Sequence, residues 1–216
     1  MSSNKYGYIA DTGPEQAFRS NTGVFNPADI NELIAEDKWT NFGQLELIET
    51  QTYSSAVTNI DFTSIKESEY NVHFFTVKNL QNNSSSNASV LIRLFESGTI
   101  EAGSVYQYGF QYGGASGSFG EARSTGASFV TATIGLSTTT NASSNLYGYF
   151  YNLGDSSKYS FLTFQESGVD GGGGYFTQFG SGVLPQTSTV DGIRFTANTS
   201  TFADFDISLY GIKEYS

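Results

Sequence analysis

The sequence predicts an all-β protein: an antiparallel β-sandwich or jelly roll of about eight to eleven strands, with an N-terminal extended arm and one short helix. Three observations predict this class. From residue 44 onward, aromatic and β-branched residues alternate with polar ones, the period of half-buried strands. Gly/Asn/Ser-rich turns separate these runs at roughly 10 to 16 residues, which favours antiparallel strands over βαβ units. Finally, 216 residues contain 24 Gly but only 3 Pro, as expected for turns and bulges in a sheet protein.

Composition excludes several function classes. The apolar content of 38% and aromatic content of 15% are enough for a packed core, which argues against disorder. The net charge of −11 and the isolated positions of Lys and Arg make nucleic acid and anionic membranes unexpected partners. The opening residues lack the apolar core of a secretion signal, and no apolar stretch is long enough to cross a membrane. The absence of cysteine excludes disulfides and thiolate metal sites.

Residues 1–43 differ from the rest and are predicted to form a docking segment, with the β-sandwich domain over 44–216. Residues 1–24 are polar and glycine-containing, which indicates an extended arm, although a disordered N-terminus explains them equally well. Asn26 suits a helix N-cap and Pro27 the first helical position, so we expect a helix over 27–37. The candidate docking residues are the apolar ones of this segment: Phe25, Ile30, Leu33, Ile34 and Trp39.

The remaining pattern predicts eleven strands. They are expected near 44–52, 56–62, 70–80, 88–96, 105–112, 127–136, 146–152, 158–165, 174–180, 190–196 and 203–212. The last of these alternates apolar Phe205, Ile207 and Leu209 with polar neighbours. We therefore expect it to lie in a sheet beside an early strand and to place these three side chains in the core.

Groups that would carry catalysis or bind a metal are sparse, so we expect no catalytic residue, metal or cofactor. The single histidine, His73, lies inside a strand and is more typical of a core residue than of a catalytic one. Glycoside hydrolysis needs two facing carboxylates, for which Glu96 with Glu166, or Asp204 with Asp206, are the candidates. Glu96 and Glu166 both precede a turn-like Ser-Gly, where a solvated carboxylate is ordinary.

The glycine-rich stretch "GVDGGGG" (168–174) lacks the lysine and following helix of a phosphate loop. It also lacks the alternating acidic ligands of a calcium loop. A flexible hairpin tip is therefore the favoured interpretation, with a calcium contact at Asp170 a weak alternative.

Two tyrosine stripes are the most informative feature. Tyr106, Tyr108 and Tyr112 share one strand face with Phe110, and Tyr147, Tyr149 and Tyr151 share another. Tyrosine buries a large ring while its hydroxyl stays in water, which suits interfaces and sugar-stacking platforms. Each stripe is open to two interpretations, the edge of the core or an exposed interface. Within the second, contact between subunits ranks above glycan binding.

Three stretches carry a family resemblance: "TGVFNPADINELIAEDKW" (22–39), "VTNIDFTSIKESEYNVHFFTVKNL" (57–80) and "VDGIRF…DISLYGIK" (190–213). Together they resemble the N-terminal helix, a central strand pair and the closing strands of small β-sandwich virion proteins from tailed phages, especially phages of marine bacteria, the cyanophage type. The resemblance implies a jelly-roll-like module attached to a capsid, neck or tail in several copies. It implies no catalytic residue.

The sequence thus favours a non-enzymatic phage virion structural protein, a capsid decoration or a tail or neck appendage docked by its N-terminal arm. Its expected partners are other virion proteins and further copies of itself, with a homotrimer as the expected state. Its expected location is the virion, after synthesis in the host cytoplasm. The alternative is a lectin-like module that binds a host-surface glycan. A polysaccharide hydrolase is the third hypothesis.

Overall fold

The structure, a computed structural model, describes residues 16–17, 20–21, 27–35, 45–84 and 88–214. The chain divides into two compact units, residues 1–43 and residues 44–216. None of the helices among the described residues is both long and apolar enough to span a bilayer.

The first unit contains two antiparallel strands of two residues each, β1 (Gln16–Ala17) and β2 (Ser20–Asn21), and the helix α1 (Pro27–Ala35). The helix confirms the predicted one and begins at Pro27 as expected; the last two residues of the predicted range, 36–37, lie outside the described residues. Of the docking candidates on it, Ile30 is half-buried and Ile34 is exposed. Phe25, Trp39 and the side chain of Leu33 lie outside the described residues.

The second unit is built from thirteen strands in two antiparallel sheets, which confirms the predicted all-β sandwich. The first six are β3 (Leu45–Tyr53), β4 (Asn59–Phe62), β5 (Val72–Leu80), β6 (Val90–Glu96), β7 (Thr99–Ile100) and β8 (Tyr106–Gly114). The next seven are β9 (Phe119–Ala127), β10 (Val130–Thr131), β11 (Ser144–Tyr151), β12 (Ser160–Val169), β13 (Tyr175–Leu184), β14 (Val190–Ala197) and β15 (Phe205–Ile212).

The two sheets differ in size. The larger has eight strands in the order β3-β15-β5-β11-β12-β13-β8-β9. The smaller has the order β10-β6-β14-β4, with β7 paired to β6. Strands of the larger sheet show strict alternation of buried and exposed residues, most clearly β12 and β11. Each such strand therefore has one face toward the smaller sheet and one face toward the outside.

The core lies between the sheets and is dominated by large apolar side chains. Phe75 and Phe150 of the larger sheet are fully buried, and their ring centroids are 5.2 Å apart. Phe195 of the smaller sheet lies 5.3 Å from Phe75. Aromatic pairs at these distances add to the free energy of burial. These three rings join the sheets at the centre of the sandwich.

Two parts of the strand prediction were wrong. The predicted strand 127–136 is reduced to Val130–Thr131, because the chain then turns inward and the buried Thr133 hydroxyl accepts a hydrogen bond from the Val90 amide at 2.9 Å. The two-residue strand β7 was not predicted. Strand β9 was not predicted either, because "FGEARSTGA" has few residues that favour strands. It lies at the edge of the larger sheet, where glycine and charged residues are common.

The closing strand β15 follows the prediction. It pairs with the early strands β3 and β5, and Phe205, Ile207 and Leu209 are buried in the core. Gly211 continues the inward row, and a β-carbon there would overlap the ring of the buried Tyr70. The strand therefore requires a residue without a side chain at this position.

We expect Gly211→Ala to lower the free energy of unfolding by about 1 to 3 kcal/mol, since the added methyl displaces the Tyr70 ring. Urea denaturation measures the change. Gly109→Ala is the matched control, because a β-carbon at Gly109 meets no atom within 4 Å, and its effect should stay within about 0.5 kcal/mol. Equal stability of the two variants would contradict the packing of Tyr70 against Gly211.

Candidate functional site

The most distinctive surface is the outward side of four adjacent strands of the larger sheet, β11, β12, β13 and β8. Their outward residues are Tyr, Phe, Gln, Asn, Thr, Ser, Val and Gly, and none is charged. We call this surface the uncharged face. Strand pairing aligns Tyr147, Gln165, Phe179 and Gln111 in one row across it. An uncharged surface of this extent is unusual for a chain whose net charge is −11.

Charged side chains lie at the two margins of this face and are paired there. On one side Lys78 lies 3.9 Å from Asp206. On the other, Arg123 and Glu121 of the edge strand β9 form a 3.0 Å ion pair. The outward side of the smaller sheet differs, since it carries the bidentate pair of Arg194 with Asp61, both bonds at 2.6 Å. Within the larger sheet, the absence of charge is therefore specific to the outward side of β11, β12, β13 and β8.

Aromatic rings are exposed on the uncharged face. Tyr147 is 42% exposed and donates a 2.6 Å hydrogen bond to the Gln165 side chain. Tyr149 and Tyr151 are half-buried and stack on each other at 6.3 Å. Other aromatic side chains that project from these four strands are the exposed Phe161, Tyr175 and Phe179. The stripe Tyr147, Tyr149 and Tyr151 thus lies outside, with Leu146 and Phe150 on the core side.

The other tyrosine stripe belongs to the core. Of the two interpretations given for it, the edge of the core holds, and its residues are removed from the candidates for an exposed platform. Tyr106 is 1% exposed, and its hydroxyl accepts from the Leu94 amide and donates to the Glu101 carbonyl. Burial raises the pKa of the Tyr106 hydroxyl above its ordinary value. Tyr108 and Tyr112 are half-buried and pack against the core cluster. The number of aromatic rings in a stripe therefore does not show whether the stripe lies on the buried or on the exposed face of its strand.

Glu96 and Glu166, the first pair of carboxylates considered for hydrolysis, do not face each other in a cleft. Glu96 ends strand β6 in the smaller sheet and accepts a hydrogen bond from the Ser188 hydroxyl. Glu166 belongs to the larger sheet, projects into the core and is 1% exposed. The expectation that Glu166 is a solvated turn carboxylate was wrong, because β12 continues through it to Val169. The other candidate, Asp206, is held by Thr52 at 2.7 Å and by Lys78.

Glu166 lies in a buried polar cluster with Ser144 and Gln178. Among the described residues its two carboxyl oxygens have no hydrogen-bond partner, and the Ser144 hydroxyl and Gln178 side-chain oxygen also lack one. Burial raises the pKa of Glu166 well above its ordinary value, and the nearby Ser144 side chain and Ile134 backbone offset only part of this. Burial therefore favours the neutral form of Glu166 inside the core.

His73 is a core residue, in line with its interpretation from the sequence. It is fully buried, and its Nε2 donates a 2.8 Å hydrogen bond to the Ile65 carbonyl. Burial lowers the pKa of the His73 imidazole, so the ring is neutral near pH 7. Its Nδ1 has no partner in the described part of the chain. Within that part no three acidic, histidine or cysteine side chains are grouped as a metal site would require.

Sequence reasoning missed Phe161, Phe179, Gln165 and Gln111 as members of the uncharged face. The signal was present in the alternation of β12, where Phe161, Thr163 and Gln165 all fall on one side. Recognising the face needed the order of the strands, because one row combines Gln111 with Phe179, which are far apart in the chain.

Comparisons with known proteins identify no family. No protein-family model matches the chain, and no curated protein matches it. Among solved structures, an exo-inulinase from Aspergillus awamori is similar with a TM-score of 0.36 and 13% sequence identity. The similar region covers 78% of this chain but only 30% of that enzyme.

We expect Glu166→Gln to become more stable relative to the unsubstituted protein as pH rises above about 4.5. The folded state raises the pKa of Glu166, so its neutral form stabilises the fold at low pH, and this contribution is lost as pH rises toward the folded-state pKa. The difference should grow by at most about 1.4 kcal/mol per pH unit. Urea denaturation of both proteins between about pH 4 and pH 8 measures it. A difference that does not change with pH would contradict a buried neutral Glu166.

Proposed function

We propose that this chain is a non-enzymatic virion structural protein of a tailed phage, a capsid decoration or a tail or neck appendage, whose copies associate through the uncharged face. The sandwich projects from the particle, and the segment 1–43 docks it to other virion proteins. The observation that carries the association is the charge-free, aromatic-rich surface of β11, β12, β13 and β8. The virion context rests on the resemblance of the three sequence stretches described above.

The composition of the uncharged face supports a protein partner. The centre of protein interfaces is depleted in charged residues and enriched in Tyr and Phe, with a polar and charged rim. The uncharged face has this arrangement, since Tyr147 and Phe179 lie inside it and the Lys78–Asp206 and Arg123–Glu121 pairs lie at its margins. Gln165 and Gln111 supply hydrogen-bonding groups within it.

A second copy of this chain is the partner that the charges favour. Two chains of net charge −11 repel each other over most of their surfaces. Contact is least unfavourable where neither copy carries charge, and the uncharged face meets this condition. Four strands about 4.8 Å apart and about 30 Å long give a width of roughly 19 Å. The area given by this width and strand length approaches that of one side of a standard interface, about 800 Å² of accessible surface on each partner.

The non-enzymatic assignment is supported by where the acidic groups lie. Glu166 is enclosed by the core, which raises its pKa, whereas Glu96 accepts a hydrogen bond from Ser188 and belongs to the other sheet. A retaining or inverting glycosidase needs both carboxyls on opposite sides of a substrate in one cleft. Glu96 and Glu166 do not have that arrangement.

We expect Tyr147→Glu and Phe179→Glu each to dissociate the assembly of the full chain. Each variant buries an unpaired carboxylate in the contact, which costs about 3 kcal/mol and raises the dissociation constant by more than about 100-fold. Light scattering coupled to size exclusion measures the mass. We expect a multiple of 23.4 kDa for the unsubstituted protein, three copies in a trimer, and 23.4 kDa for the variants.

Thr99→Glu is the matched control, because it adds the same charge at an exposed position of the smaller sheet. It should keep the mass of the unsubstituted protein. If the unsubstituted chain is monomeric at all concentrations, or if all three variants dissociate equally, the uncharged face is not the contact.

We expect a chain lacking residues 1–43 to keep the sandwich fold, since residues 44–216 form their own compact unit. In phage particles that carry this protein, the truncated chain should be absent from purified virions while the full chain is present. Quantitative mass spectrometry of the particles, with circular dichroism of the truncated protein, measures both. Normal incorporation of a folded truncated chain would contradict the docking role of the segment.

A further inference from the structure

A second surface, which adjoins the uncharged face at Tyr175, has the features of a small-molecule site. It is a cleft of about 590 Å³, which we call the end cleft. Its walls come from the β8–β9 turn, the β12–β13 turn, Ile134 and Gly135 after β10, and Ser89 before β6. This volume falls within the range of sites that bind small ligands. The glycine-rich hairpin tip predicted at 168–174 and the β8–β9 turn therefore line one cavity.

Asp170 supplies a carboxylate held in a fixed orientation. Its Oδ1 accepts hydrogen bonds from the backbone amides of Gly172 at 2.9 Å and Gly174 at 2.8 Å. The turn is closed by a bond from the Asp170 amide to the Gly174 carbonyl at 2.9 Å. Neither of the hydrogen bonds from Gly172 and Gly174 uses the second carboxylate oxygen, Oδ2. A carboxylate that is fixed by one oxygen can accept hydrogen bonds from a ligand with the other.

The glycines of this turn leave the carboxylate accessible. A β-carbon at Gly174 would lie 3.2 Å from Oδ2 of Asp170, and one at Gly172 would lie 3.3 Å from Oδ1. Side chains at these positions would therefore crowd the carboxylate. Gly173 has a φ of +83°, which only glycine adopts without strain, and a β-carbon there would meet no atom within 4 Å. The sequence "GVDGGGG" thus presents Asp170 rather than merely closing a hairpin.

The other walls combine hydroxyl groups with apolar surface. Ser116 and Ser118 of the β8–β9 turn lie with their hydroxyl oxygens 3.2 Å apart. Tyr112 brings an aromatic ring, and Ile134 and Phe176 bring apolar contact. A ligand that fits these walls needs several hydroxyl groups together with a nonpolar surface.

We infer that the end cleft binds a neutral saccharide. Sugars present hydroxyls that donate to a fixed carboxylate and C–H surfaces that pack against aromatic and aliphatic side chains. Anionic sugars are excluded, because Asp170 and the net charge of −11 repel them. The carboxylate of Asp170 and the β8–β9 turn lie outside the four strand faces that form the uncharged face, so the site adds a recognition function to the proposed structural one.

Saturation-transfer NMR of the full chain against a panel of neutral hexoses, pentoses, 6-deoxyhexoses and their oligosaccharides, with sialic acid and a uronic acid as anionic probes, tests the inference. We expect transfer to at least one neutral sugar and none to the anionic ones. The key variant is Asp170→Asn. Its side-chain oxygen still accepts from Gly172 and Gly174 and keeps the turn, while Oδ2 becomes an NH₂ donor. We expect its affinity to fall at least tenfold.

A second variant, Ser116→Trp, fills the cleft from an exposed turn position and should abolish binding with the fold intact. The matched control is Asp155→Asn, which removes the same charge from another loop carboxylate that accepts from a nearby backbone amide, that of Ser157 at 2.9 Å. It should bind as the unsubstituted chain does. Binding should also persist in EDTA, since the carboxylate contacts the sugar directly.

Three results would overturn the inference: no transfer to any neutral sugar, unchanged affinity in both cleft variants, or loss of binding in EDTA. None of them bears on the mass of the assembly, so failure of this inference and failure of the proposed association are separately visible.

Discussion

The structure depends on one constraint, the burial of a continuous apolar layer between two sheets of unequal size. Phe75 and Phe150 of the larger sheet meet Phe195 of the smaller one at its centre. Because side chains alternate along a strand, a shift of one residue would move every one of these rings to the solvent side. The core therefore fixes the register of each strand. It also decides which residues are left to face outward.

The outward residues do not pack in the core, and their charges differ between the two sheets. The smaller sheet carries paired charges such as Arg194 with Asp61. The four strands of the uncharged face carry none, although charged side chains there would cost the fold nothing and would favour solubility. This absence of charge is the observation from which the contact between copies is proposed. Glu166 is the converse case, an acid placed where the fold disfavours its charge.

Sequence patterns predicted the sandwich, the helix and most strands, because alternation and turn composition are local properties. The closing strand was predicted down to its buried residues, Phe205, Ile207 and Leu209. The candidate site was only partly predictable. Alternation shows that Tyr106 and Tyr147 lie on stripes, but which side of a strand faces the core depends on the order of strands from distant positions. Glu166 was expected in solvent for a different reason, because the Ser-Gly after it is typical of a turn, whereas β12 continues to Val169. Strand β9 was missed because its composition does not favour a strand.

The central claim is that the uncharged face is where copies of this chain meet. An experimental structure of the assembled full-length protein, by electron cryomicroscopy or crystallography, tests it most directly. The account predicts that Tyr147, Gln165 and Phe179, which lie in one row across the sheet, lose their contact with solvent against a neighbouring copy. Copies that meet through other surfaces and leave this row in water would contradict it.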